Sequence, residues 1–210
     1  MLGILGGTFD PVHFGHLRPA LDVAEKLKLD EVRLIPCGQP PHRQQPVATP
    51  LQRLAMLRAA IEHYPEFKVD DRELCRAGPS YMVDTLMSLK NDFPDQALCL
   101  ILGWDAFVGL GSWYQWTHLF ELAHIVVTQR PGWSMEQIDS NSELAEQLNH
   151  RLIEAEDLGN DDVGKIILMP VVQLDISSTH IREQLQKGES VSDLLPEQVE
   201  EFIVNQNIYG

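Results

Sequence analysis

Apolar residues fall along this chain in two rhythms. Short unbroken or nearly unbroken runs at 2–5, 32–35, 67–69, 97–102, 125–127 and 166–168 predict strands, most of them buried on both faces. Between these runs, apolar residues return every three or four positions. Leu17, Ala20, Leu21, Ala24 and Leu27 predict a helix with Pro19 in its first turn, where a missing N–H is tolerated. Leu51, Leu54, Ala55 and Leu57 predict a second helix. Ser80 is read as the N-cap of a third, with Val83, Leu86 and Met87 on one face. The tryptophan-rich stretch before Ile125 reads as helical. Two more helices are expected, one after Ser177-Ser178 and one opening at Pro196 with Val199, Phe202 and Ile203 turned inward. The segment 36–50 carries five prolines and is expected to be an irregular loop.

Strands alternating with amphipathic helices imply a parallel sheet covered on both sides. Right-handed crossovers then give an α/β, Rossmann-like, doubly wound fold flanked by helices. A length of 210 residues suits a single domain. Within it, residues from about 134 to 163 are expected as an acidic helical insertion between strands, and 177–210 as a C-terminal helical part. Sheets of this kind hold ligands at the carboxyl ends of their strands, where strand order reverses.

The net charge of −15 argues against duplex DNA or an anionic membrane as partner. No apolar run approaches the roughly 18 residues of a membrane span, and the start of the chain lacks a signal peptide's basic region. Cys37, Cys75 and Cys99 are scattered and odd in number, which suits a reducing compartment, so a cytoplasmic protein is expected. Charge is uneven: between Met135 and Asp162 nine acids face one base, Arg151, which reads as a solvated helical face.

Residues 6–16, GGTFDPVHFGH, leave the first strand and enter the first helix, where this architecture places its phosphate loop. Gly6 and Gly7 permit close approach of backbone to a ligand. The helix start offers N–H groups and a positive dipole end to an anion. His13 and His16 lie three apart, so a helix beginning near Phe14 turns both toward one ligand. The stretch is neither GxGxxG nor a P-loop, which weakens an oxidoreductase or P-loop reading. Zinc has no second ligand cluster of suitable spacing.

GGTFDPVHFGHL resembles the signature of nucleotidyltransferases with a paired His-x-Gly-His motif, here His13-Phe14-Gly15-His16. Residues 176–182, ISSTHIR, resemble their second signature. Pro41-His42-Arg43, residues 79–85 (PSYMVDT), Gly103-Trp104-Asp105, Trp113-Tyr114 and Arg130-Pro131-Gly132 are similar to the nicotinate mononucleotide adenylyltransferase family, over essentially the whole chain. Trp104 stands where a smaller or polar residue is more usual, and Met82 where threonine is common.

That resemblance implies AMP transfer from ATP to nicotinate mononucleotide, giving nicotinate adenine dinucleotide and pyrophosphate in NAD biosynthesis. The attacking 5′-phosphate is already ionised near pH 7, its second pKa being about 6. Alignment and charge neutralisation, rather than proton removal, are then the catalytic task, by direct in-line attack without a covalent enzyme intermediate. The resemblance implies His13, His16 and Arg43 as catalytic residues. It implies Gly6, Gly7, Thr8, Phe9, Asp105, Ser177, Ser178, Thr179 and Arg182 as further ATP-binding residues, with Asp105 read either as a ribose ligand or as the cap of the next helix. Thr8, His42, Arg43, Thr85, Trp113, Tyr114 and Arg130 are implied for the mononucleotide, Trp113 stacking on the pyridine ring. Trp113, Tyr114 and Trp116 also admit a plain core role. Arg18 and His180 complete a basic pocket drawn from separate segments. Magnesium is expected to be held by ATP phosphates and water rather than by a carboxylate cluster.

Four alternatives stay open on sequence alone: AMP transfer to nicotinamide mononucleotide, AMP transfer to phosphopantetheine, a non-catalytic nucleotide sensor, and a plain interaction module resting on the acidic stretch. Oligomeric state, strict preference between the two pyridine mononucleotides, the role of the acidic stretch and closure of the 37–49 loop are not fixed by the sequence.

Overall fold

The computed structural model describes residues 1–40, 45–129, 134–140, 142–159, 163–172 and 174–210. Six strands form one sheet: β1 (Leu2–Gly7), β2 (Glu31–Pro36), β3 (Phe67–Val69), β4 (Leu98–Gly103), β5 (His124–Gln129) and β6 (Ile166–Pro170). All pairings are parallel and the order is β3-β2-β1-β4-β5-β6, with β1 and β4 as neighbours at the reversal. The helices are α1 (Phe14–Leu27), α2 (Pro50–Ala60), α3 (Arg72–Cys75), α4 (Met82–Asp92), α5 (Trp104–Val108), α6 (Leu119–Leu122), α7 (Glu143–Arg151), α8 (Ser178–Lys187) and α9 (Glu197–Asn205). This is the doubly wound α/β arrangement expected from the alternating pattern.

Period-two alternation within the apolar strands divides the core. Leu98, Leu100 and Leu102 of β4 join the layer holding Val83, Leu86, Phe107, Phe120 and Leu148. Cys99 and Ile101 face the other layer, with Leu17, Val23, Leu57, Ile181, Val199 and Ile203. Residues that the sequence shows only as an apolar run thus serve two cores at once.

Four local expectations need correction. α1 begins at Phe14, so Pro19 stands inside the helix, beyond its first turn. The helix loses there the N–H that would bond the Gly15 carbonyl. Tyr81, not Ser80, is the N-cap of α4. The Ser80 hydroxyl instead accepts N–H bonds from Gly38 (2.9 Å) and Gln39 (3.2 Å), pinning the start of the proline-rich loop. In α2 the buried stripe is Arg53, Leu54, Met56, Leu57 and Ala60, while Leu51 is exposed. The Trp113–Trp116 stretch is not helical throughout. It links two single 3-10 turns, Leu110–Ser112 and Trp116–His118, through an extended Trp113 and a left-handed Gln115.

The acidic stretch carries α7, but not only as a solvated face. Leu144, Ala145 and Leu148 are buried in the α4–α6 core layer, and the Trp104 indole N–H donates to Gln137. Trp104, unusual for the family it resembles, thereby ties this stretch to β4's end. Among the described residues no helix is long and apolar enough to cross a membrane.

Candidate active site

β1 pairs with β4 only over Leu2–Ile4, whereas β4 pairs with β5 as far as Gly103. The two central strands therefore part company toward their carboxyl ends. Leu5–Gly7 keep β2 on one side and face an open crevice on the other, the place where such folds bind ligands. The 8–13 turn leaves this crevice floor and enters α1 with His13 as N-cap.

His13 and His16 stack with ring centroids 3.8 Å apart, and Phe9 meets His16 edge-on at 5.1 Å. The His13 backbone N–H donates to His16 Nδ1 at 3.3 Å. An acceptor at Nδ1 places the proton of a neutral ring on Nε2. Between them, Gly15 is held to glycine by contact. A Cβ there would lie 2.9 Å from the His13 ring and 3.2 Å from the Ile176 carbonyl oxygen. That second neighbour belongs to the far signature of the sequence, so the two motifs touch.

The second motif is fixed against the first by hydrogen bonds. Ser178 Oγ donates to the Pro11 carbonyl at 2.9 Å, and Arg182 Nη1 donates to the Asp10 carbonyl at 2.7 Å. Arg182 Nη2 also reaches Thr179 Oγ1 at 3.2 Å. Ser177 caps α8 by accepting the His180 N–H, which leaves the Ser178 and Thr179 N–H groups at the helix start facing outward as donors. α1 contributes less than expected. Its Phe14 N–H is taken by the Leu194 carbonyl at 3.0 Å.

Beneath the turn, sequence reasoning missed a buried polar frame. Arg53 is wholly buried and donates to the carbonyls of Thr8 and Cys37, both at 2.7 Å. Burial draws its guanidinium below the usual arginine range, against the opposing pull of Cys37, Asp10 and Tyr209. The Asp10 carboxylate, 5% exposed, accepts N–H bonds from Val47 (2.8 Å) and Ala48 (3.0 Å) and an O–H bond from Tyr209 (2.7 Å). Arg182 stands 3.9 Å from it. Arg53 had a readable signal, since it lies on the inward stripe of α2. Tyr209 had none.

At the other rim, the Tyr81 and Tyr114 rings meet at 4.5 Å, and Tyr114 is 49% exposed. Thr85 is fully buried: its hydroxyl donates to Glu73 Oε1 at 2.6 Å and accepts from Arg76 Nη2 at 3.1 Å. Burial raises the Glu73 carboxyl above its ordinary value, although Thr85, Ser80 and Arg76 pull the other way. Met82 at the start of α4 packs over Gly6, which brings this rim to the phosphate turn. Trp113 is partly buried against the α4–α6 layer, and Asp105 is exposed in the first turn of α5, just past β4. Arg18 is exposed with its guanidinium over the Phe14 ring, and His180 is exposed on α8. His42, Arg43 and Arg130 lie outside the described residues.

A family model described as Cytidylyltransferase-like matches residues 4–184. A Methylococcus capsulatus protein is 48% identical over the full length of both chains. One from Halorhodospira halophila is 47% identical over all of this chain and 95% of its own. Both carry the name "Probable nicotinate-nucleotide adenylyltransferase". The chain belongs to the nicotinate-nucleotide adenylyltransferase family. It is a nucleotidyltransferase, in line with the two signatures that meet at the crevice. The fold is shared with Plasmodium falciparum nicotinic acid mononucleotide adenylyltransferase complexed with NaAD, at TM-score 0.73, 18% identity, and 99% and 96% coverage of the two chains.

Among the described residues no group of three or more His, Cys, Asp or Glu could hold a metal ion. Asp10, the buried carboxylate nearest the turn, has both oxygens occupied by protein donors. The described donor set therefore does not fit a protein-held metal cage.

Proposed function

We propose that this chain, acting as one domain, transfers AMP from ATP to nicotinate mononucleotide, releasing pyrophosphate and forming nicotinate adenine dinucleotide. One observation carries the reading: the His13–His16 stack and the start of α8 stand against the same turn, at the crevice where β1 and β4 diverge. The relatives' names and the NaAD complex of the P. falciparum protein supply the substrate class.

In this reading His16 Nε2–H donates to the α-phosphate, where negative charge builds as the mononucleotide phosphate attacks. The Gly6-Gly7 backbone, Thr8 and the N–H groups of Ser178 and Thr179 hold the remaining phosphate oxygens. Arg182 adds charge from beside Thr179. His13 and Phe9 hold the His16 ring in place by stacking and edge contact. Magnesium held by ATP itself would lower the charge on its phosphates, and the chain's own residues supply alignment. Thr8, His42, Arg43, Trp113, Tyr114 and Arg130 take the mononucleotide, with Asp105 at the ATP ribose, while Thr85, expected among them, is buried and supports this rim through Glu73 and Arg76. The substrates are ATP and the mononucleotide rather than nucleic acid, and the compartment is the cytoplasm.

The test is pyrophosphate release from ATP, run with nicotinate mononucleotide, with nicotinamide mononucleotide and with neither. Release that requires a mononucleotide, with kcat/KM at least tenfold higher for the nicotinate form, is expected. A higher value for the nicotinamide form, or release with phosphopantetheine alone, would contradict the substrate assignment. ATP binding without release under any condition would mark a nucleotide sensor.

A further inference from the structure

We infer that Tyr209, the penultimate residue of the chain, is a positioning residue for AMP transfer, acting through Asp10; this rests on the function proposed above. Asp10 sits between Thr8 and His13 in the turn that carries the phosphate site. Its carboxylate gathers three donors from two remote segments: the Val47 and Ala48 N–H groups, where the proline-rich loop ends, and the Tyr209 hydroxyl. Tyr209 is the one side-chain hydrogen-bond donor to that carboxylate among the described residues. Buried carboxylates need such donors.

The seat is built on both sides. Tyr209 is 5% exposed. It holds a left-handed backbone, φ 71°, which disfavours a non-glycine residue and is kept here by its surroundings. Its ring lies in the α1–α2–α9 core layer, and Ile208 beside it is also buried. Burial and the adjacent Asp10 charge push the phenol above its usual range, so the hydroxyl remains a donor throughout neutral pH. On the far side of the turn, Arg53 holds Thr8 and Cys37, the latter at the beginning of the same loop.

Both ends of the 36–50 segment are therefore fastened to the phosphate turn, the beginning through Arg53 and the end through Asp10. Removing the Tyr209 hydroxyl leaves Asp10 one donor short. The carboxylate is then held by the Val47 and Ala48 N–H groups alone, and the turn that carries it shifts against the loop end. Catalysis that consists of alignment is sensitive to shifts of this size, because misplacement of about 1 Å can cost on the order of a hundredfold. Ground-state binding, spread over many phosphate contacts, is less sensitive, so the loss falls on kcat.

Tyr209→Phe removes the hydroxyl alone. Assayed well below its melting temperature, it is expected to lower kcat about tenfold while both KM values stay within about twofold of wild type. Asp10→Ala, which removes the acceptor, is expected to lower kcat as well, and adding Tyr209→Phe to it should lower kcat no further. A Tyr209→Phe enzyme with reduced Tm but wild-type kcat would overturn the inference, because the hydroxyl would then serve stability only. Additive losses in the double variant would overturn the route through Asp10. If the wild-type chain released no pyrophosphate with any mononucleotide, the function would fall while the clamp stayed measurable. Amide exchange at Val47 and Ala48 should then accelerate at least tenfold in Tyr209→Phe, and unchanged exchange would refute it.

Discussion

An imidazole that accepts a backbone N–H at Nδ1 carries its proton, when neutral, on Nε2, and His16 is bonded in this way. The spacing of His13 and His16 was enough to foresee that they share a face. The tautomer was not, since it depends on the hydrogen bond His13 makes once α1 starts at Phe14. Glu73 illustrates the same limit. Nothing in its local sequence marks it as buried, yet it lies under Thr85 with its carboxyl raised above the ordinary 4.5, burial being the main cause. A folded-state value above the unfolded one means that the native protein binds the proton more tightly. Glu73 therefore burdens the fold increasingly as pH rises past the unfolded value, and the burden is complete above the folded value. Glu73→Gln keeps an acceptor for Thr85 and cannot ionise. Its Tm relative to wild type should be higher at pH 7, with the gap closing as pH falls below about 4.5. A gap independent of pH across that range would contradict the assignment.

At the scale of elements, what the sequence shows well is burial and what it shows poorly is phase. The six apolar runs became the six strands because a strand buried on both faces needs no partner to declare itself. α2 was expected from Leu51, Leu54 and Ala55, but its inward stripe begins with a charged residue, and Leu51 faces solvent. Leu54 and Leu57 turn inward as expected, but Arg53 joins them in place of Leu51 because its partners, the Thr8 and Cys37 carbonyls, lie 45 and 16 residues away. Ser80 misled for a related reason: its hydroxyl serves another loop rather than its own helix. Arg53→Met would fill similar volume but leave two buried carbonyls without donors, each costing about 1–3 kcal/mol. Chemical denaturation should show a loss of about 3 kcal/mol with an unchanged m-value, and a loss under 1 kcal/mol would mean that these carbonyls find other partners.

For the whole molecule, the issue is how a chain of net charge −15 accommodates a triphosphate. Much of the excess acid falls within 135–162 along the chain, where α7 buries its apolar face and leaves Glu143 and Glu146 exposed. The phosphate turn is instead framed by Arg53 and Arg182 around one carboxylate that is spent on Val47, Ala48 and Tyr209. The two signatures were legible in the sequence, and the fold brings them into contact across the turn. The frame that holds them was not legible, since it is made of single residues at positions 10, 53 and 209 whose meaning exists only after folding.

The central claim is that this frame aligns two phosphates for direct transfer, with the chain never bonded to AMP. Stereochemistry at the α-phosphorus tests it most directly, using ATP made chiral there with sulfur and following the product by phosphorus NMR. A single in-line displacement predicts inversion of configuration. Retention would require a covalent adenylylated enzyme between two displacements and would contradict the account.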